Sequence, residues 1–320
     1  MDPLLIATGE AIPLRGLEGV PGLPGAPQEQ LEQLGYIAAI ASAASWAFAT
    51  VMFDRIGKFI NYAGITFLKG VFSIMMMVGL VIWSGGLAEC DFADFLVLAL
   101  SGIIGIAVGD TLFFRSLQDL GAKMQVLFFM LGQFVTMLLS FLLLGDVLSI
   151  TEYLGALVLL SGVIVVIWGK QEDRPNKTRG IIGGLISMLC FSTSSIMVKI
   201  AIGDIDIVTA TFYRMVFGTA SIMFVGLTSN KLVSWIRPLR DIRLLIMFIL
   251  NVFVLTVGGF LLSTLAIKNI SVSIASVLST TEPIFVLLFA FLINKEKVKP
   301  KEILGTAVTI CGLLIMILNG

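Results

Sequence analysis

Four ionisable side chains, Lys69, Asp110, Arg214 and Glu282, stand deep inside apolar stretches of a chain that contains no histidine. A charge at mid-membrane costs about 2.5–3.5 kcal/mol on insertion scales, so such groups face a partner or a cavity. Two are basic and two are acidic, which allows the set to be neutral as a whole. Two chemistries are open to them: buried ion pairs that fix helix packing, or a cavity lining that includes a site for a coupling proton. Glu282 leads the second list, because Pro283 beside it lacks the N–H that would bond a carbonyl one turn back, near Ser279. A carboxyl removed from water disfavours its charged form, which suits proton exchange. Asp110 follows Gly102, Gly105 and Gly109, a small-residue spacing that favours close helix contact over a binding role. Gln133, Tyr213, Asn251, Ser194 and Ser195 add hydrogen-bonding groups, each with an interhelical bond as its alternative.

The elements that hold these residues must be membrane helices. The chain has 320 residues, 58% of them hydrophobic and 13% charged, whereas a soluble domain carries about 25% charged residues. Lipid is therefore the solvent for most of it. A span needs about 20 apolar residues, and the apolar runs fall at 34–53, 60–83, 94–116, 124–144, 153–169, 180–201, 207–228, 243–266, 272–293 and 302–318. Residues 1–33 read as a flexible tail: glycine recurs at every third position from Gly16 to Gly25, with too few triplets for a collagen helix. Cys190 and Cys311 lie in apolar runs and Cys90 in a short loop, which argues against a disulfide framework or metal site.

The spans repeat. Gly35, Ser42, Met52, Thr66, Phe67, Val71 and Phe72 recur as Gly180, Ser187, Met197, Thr211, Phe212, Val216 and Phe217, each 145 positions on (180 − 35). In the same register Trp46 meets Phe191 and Lys69 meets Arg214. Later the offset becomes 150, matching Phe141, Glu152, Leu154, Gly155 and Gly162 with Phe291, Glu302, Leu304, Gly305 and Gly312. Residues 34–169 and 180–318 thus form two halves of five spans. Because five is odd, the second half enters the membrane from the opposite side. The fold expected is an all-α membrane protein of about ten transmembrane helices, built as two inverted five-helix repeats, an arrangement that suits alternating access.

On these motifs the chain resembles the EamA-like branch of the drug/metabolite transporter superfamily, over nearly everything from residue 34 onward. The segments that carry the likeness are Ser45-Trp46-Ala47, Phe212-Tyr213-Arg214 and Thr280-Thr281-Glu282-Pro283-Ile284, with Leu144-Gly145-Asp146 and Asn294-Lys295-Glu296 at two span ends. Glu152-Tyr153-Leu154-Gly155 and Glu302-Ile303-Leu304-Gly305 complete the doubled set. The first half departs from the pattern with Gln133-Phe134 where the second has Glu282-Pro283, so the halves need not play equal roles. The resemblance implies a cell-membrane carrier that exports or exchanges metabolites, amino acids or drug-like compounds. It also implies both termini in the cytoplasm.

Other classes fit poorly. Without histidine there is no serine–histidine chemistry, and Ala107-Val-Gly-Asp110 lacks the facing aspartate that an intramembrane protease needs, since Asp146 and Asp206 fall at span ends. No ring of like charge or filter loop suggests a channel. Lysine plus arginine equals aspartate plus glutamate at 21 each, so no net charge draws nucleic acid. No cofactor is expected; the partners are a small solute, lipid and a possible coupling proton. Arg214 together with Glu282 favours a zwitterion such as an amino acid over the broad cargo of a multidrug exporter. Against the family expectation, the charge pattern places both termini outside: Arg55, Lys58, Lys123, Lys231, Arg237, Arg240 and the 170–179 run all fall on the opposite side.

Overall fold

A computed structural model describes residues 28–145, 149–167, 176–203, 205–294 and scattered positions between 300 and 315. Every regular element in it is helical. Helices α1 (Gln28–Ile56) and α2 (Tyr62–Trp83) are followed by α3, which comprises Phe92–Gly102, Ile103–Asp110 and Thr111–Leu120. Next come α4 (Ala122–Leu144), α5 (Ile150–Ile167), α6 (Lys177–Ile202) and α7 (Ile207–Thr228). A short helix, Leu232–Ile236, leads into α8, made of Ile242–Phe253, Val254–Leu261 and Leu262–Asn269. Helix α9 is split into Val272–Ser279 and Glu282–Asn294. Among the described residues seven helices are long and apolar enough to cross a membrane, namely α1, α2, α3, α6, α7, α8 and α9. The tenth span, 302–318, lies largely outside the described residues.

One boundary differs from the sequence expectation. The tail read as 1–33 is already helical from Gln28, where strong helix formers and a bond from the Gln28 amide to Glu32, one turn on, extend α1 past its apolar part.

The repeat extends to the punctuation of the helices. Asn61 caps α2 by accepting from the Ala63 N–H, and Asp206, 145 positions on, caps α7 by accepting from Val208 and Thr209. At the far ends Ser84 and Ser229, again 145 apart, turn the chain back onto the carbonyls of Leu80 and Val225. Thr66 on α2 bonds Thr111 on α3, and its repeat mate Thr211 on α7 bonds Thr264 on α8, both at 3.2 Å. Segments Ile103–Asp110 in α3 and Val254–Leu261 in α8 are both π-helical, each admitting extra residues into the turn.

Packing obeys the same exchange. Helix α2 lies against its mate α7, and α4 against its mate α9. Helix α1 packs on α8 and α9, while α6 packs on α3 and α4, which is the same pattern with the halves swapped. Glycines make the closest crossings possible: a Cβ on Gly102 would stand 2.2 Å from the Arg214 carbonyl oxygen, and one on Gly105 2.5 Å from Ser194 Oγ. Large apolar side chains such as Leu143, Phe224 and Leu250 are exposed on the outside, where lipid would cover them.

Candidate functional site

The helices enclose a cavity with about 1130 Å³ of empty space, its mouth included. Its wall is drawn from both halves: Ser42 and Trp46 of α1, Gly105 and Phe113 of α3, Gln125 and Thr136 of α4, Ser187 and Phe191 of α6, Arg214 of α7, and Phe260 of α8. Helix α9 contributes Ala275, Ser276 and Ser279, the last of these at the edge of its break. The π segments matter here, because Gly105 and Ile106 come from one and Phe260 from the other. Ser42 donates to the Gly259 carbonyl at 2.8 Å and so closes a main-chain acceptor of the α8 π segment.

One end of the cavity is aromatic. Trp46 meets Phe260, Phe113 and Phe191 edge to face, at centroid distances of 5.1, 6.4 and 6.4 Å, and Phe113 meets Phe191 at 6.0 Å. Such pairs add about 0.5–1.5 kcal/mol each beyond area burial, so the cluster is a firm surface rather than a set of loose rings. The repeat mates Trp46 and Phe191 thus touch each other across the two halves.

The polar side chains on the rest of the wall are hydroxyls, two amides and one cation. Among the described residues Arg214 is the only charged side chain on the wall. Its Nη2 donates to Ser194 Oγ at 3.3 Å, and its Nε has no hydrogen-bond partner. The Ser194 hydroxyl in turn donates to the Ser101 carbonyl at 2.8 Å, which orients its oxygen toward the guanidinium. Gln125 Oε1 is also buried without a partner. It sits on the first turn of α4, just past Gly121, whose φ of 83° makes the sharp joint that glycine adopts without strain.

The residues singled out by sequence are distributed unevenly. Arg214, Gln133, Ser194 and Ser195 lie on the cavity wall. Lys69 and Asp110 do not; they form a fully buried ion pair between α2 and α3, with Lys69 Nζ also over the Phe260 ring at 4.7 Å. This is the helix-fixing chemistry, although the field of Arg214 reaches both partners. Asn251 donates to the Ala49 carbonyl at 3.3 Å and joins α8 to α1. Tyr213 packs edge to face on Phe95 at 5.1 Å. Glu282 is buried at the start of the second piece of α9 and is not part of this wall, so it does not face Arg214 across the cavity.

Sequence reasoning passed over Gln125 and the aromatic cluster. The in-register match of Trp46 with Phe191 was the available signal for the cluster. Gln125 carried none, since it stands only four residues inside its helix.

Two segments of the chain, residues 33–168 and 178–318, each match the EamA-like transporter family. A protein of Bacillus subtilis (strain 168) named "Uncharacterized transporter YyaM" is 24% identical over 267 residues, covering 81% of this chain and 85% of that one. An "Uncharacterized transporter" of Archaeoglobus fulgidus is 21% identical over 273 residues, covering 85% and 94%. A solved structure titled "Crystal structure of protein" superposes with a TM-score of 0.66 at 17% identity, covering 92% of this chain and 98% of that one, a likeness of fold.

Proposed function

We propose that this chain, which belongs to the EamA-like transporter family, carries a small carboxylate-bearing metabolite, such as an amino acid, across the cell membrane by alternating access. The observation that carries this reading is Arg214. A guanidinium with an open Nε, on a wall with no acidic side chain among the described residues, is suited to a carboxylate or similar planar anion. The hydroxyls of Ser42, Thr136, Ser187 and Ser276 and the amide of Gln133 offer hydrogen bonds to the polar end of such a solute. The aromatic end offers its apolar body a dry surface.

The two halves meet at the cavity, so exchanging their conformations would expose it first to one side and then to the other. Export or exchange is the expected direction. The test is counterflow of labelled amino acids into proteoliposomes containing the purified protein. Arg214→Gln should raise the half-saturating concentration at least about tenfold, and Arg214→Lys should restore part of it, since the charge returns without the fork. The aromatic cluster supports a second reading, a broad multidrug exporter. Unchanged counterflow in Arg214→Gln, together with competition by apolar cations, would select that reading instead.

A further inference from the structure

Beyond the solute cavity lies a second polar spot that meets no counter-charge among the described residues. Helix α9 breaks at Thr280 and Thr281, whose N–H groups fall back on the carbonyls of Val277 and Leu278 in tight three-residue turns. Pro283 has no N–H to give the Ser279 carbonyl. Glu282 opens the next helical piece with its side chain buried, 2% exposed, and Oε2 has no hydrogen-bond partner. Thr50 on α1, also 2% exposed, faces it, and its Oγ1 is likewise unpartnered. A carboxylate taken out of water with no counter-charge is among the most costly arrangements a protein can hold. Something positive must complete it.

We propose that Glu282 and Thr50 hold a small monovalent cation, a proton or a sodium ion, as a coupling site one helical turn from the solute cavity. The charge argues for one elementary unit: a single carboxylate meets neutral oxygens, and no cluster of three metal-ligating side chains exists among the described residues. The position argues for coupling. Trp46 lines the cavity one turn before Thr50 on α1, and Ser279 lines it three residues before Glu282 on α9. Both helices that hold the cation therefore also form the solute wall, and the break between Ser279 and Glu282 is where α9 can bend.

Among the described residues, the ionisable groups on the surrounding helices stand away from the site or are engaged elsewhere. On α1 the nearest by register are Asp54 and Arg55, one turn beyond Thr50, and Asp54 has an interaction of its own. On α6 Lys199 donates to the Ile267 and Ile270 carbonyls, and on α8 Lys268 donates to the Ile205 carbonyl. The α4 amide nearest the break, Gln133, carries no charge; with Thr280 and Val277 it lines a small adjoining space.

The experiment needs no solute, so its failure is separate from any failure of the Arg214 reading. The full chain in lipid nanodiscs is melted across a pH series in choline chloride, and across a sodium series at fixed alkaline pH and constant ionic strength. The wild type should gain thermal stability as the cation is added, following a one-site curve. Dependence on pH alone identifies a proton; a sodium response that choline does not reproduce identifies sodium. Glu282→Gln, a neutral isostere, should be flat in both series. Thr50→Val, which removes one oxygen at constant shape, should weaken the apparent affinity about tenfold. Identical titrations for wild type, Glu282→Gln and Thr50→Val overturn the proposal. So does a Glu282→Gln protein that is less stable under every condition yet keeps the wild-type response, which would make Glu282 an anionic cap on the second helical piece.

Discussion

At the scale of single residues, Lys69 and Asp110 pair with each other between α2 and α3, while Arg214 stands on the cavity wall. Asp110 bonds Lys69 through one oxygen and leaves the other without a partner, with Arg214 in electrostatic reach. Asp110→Asn therefore leaves a buried cation unmatched and should cost about 3–5 kcal/mol of stability. Replacing both partners, Lys69→Met with Asp110→Leu, should recover most of that loss, and a thermal double-mutant cycle measures the coupling. If the double variant is no better than Asp110→Asn, the pair is not the source of the cost. Much of this was legible from the sequence, because a charge within an apolar run announces itself. What it withheld was the pairing. Lys69 could have matched Asp110 or Glu282, and only the packing of α2 on α3 chooses.

At the scale of elements, the close crossings of α3 set where Arg214 stands. A methyl group on Gly102 would overlap the Arg214 main chain, so Gly102→Ala must push α3 from α7; overpacking of this kind costs about 1–3 kcal/mol. Gly79→Ala on α2, with nothing within 4 Å of the added carbon, should leave the thermal midpoint unchanged or raise it slightly, since alanine is the better helix former. Equal behaviour of the two variants would show that the crossing is looser than described. The glycine spacing before Asp110 foretold this contact, and Pro283 foretold the break in α9. In α4 Gln133-Phe134 stands near the corresponding place, and the helix runs through unbroken. The paired π segments were invisible beforehand. Extra residues shift the helical period, but Ile103–Asp110 and Val254–Leu261 are apolar on nearly every side, so no polar stripe exists to reveal the shift.

At the scale of the whole molecule, orientation can be read from a native thiol. By helix alternation Cys90 lies on the side from which α1 starts, opposite Arg55, Lys58, Lys231, Arg237 and Arg240. The charge distribution predicts that side to be outside. In a Cys190→Ser, Cys311→Ser background, a membrane-impermeant maleimide should therefore label Cys90 on intact cells. Burial first, then Asp94 and Asp91, hold this thiol above its ordinary pKa. The reactive thiolate is thus scarce near neutral pH, and labelling should accelerate as the pH is raised toward that value. Labelling that appears only after permeabilisation would instead put the termini in the cytoplasm. The exchange of the two halves in the packing of α2 on α7, α4 on α9, and α1 on α8 as α6 on α3 has an energetic corollary. If the halves exchange roles as alternating access requires, a molecule whose contacts map onto themselves under that exchange would have a mirror-role conformation of nearly equal energy, with each half folded as the other is now. Perfect identity of the halves would split the population evenly, and every departure from identity is a bias. Trp46 against Phe191, Lys69 against Arg214, and Gln133 against Glu282 are such departures. About 1.4 kcal/mol of summed difference is enough to make one state tenfold more populated at rest.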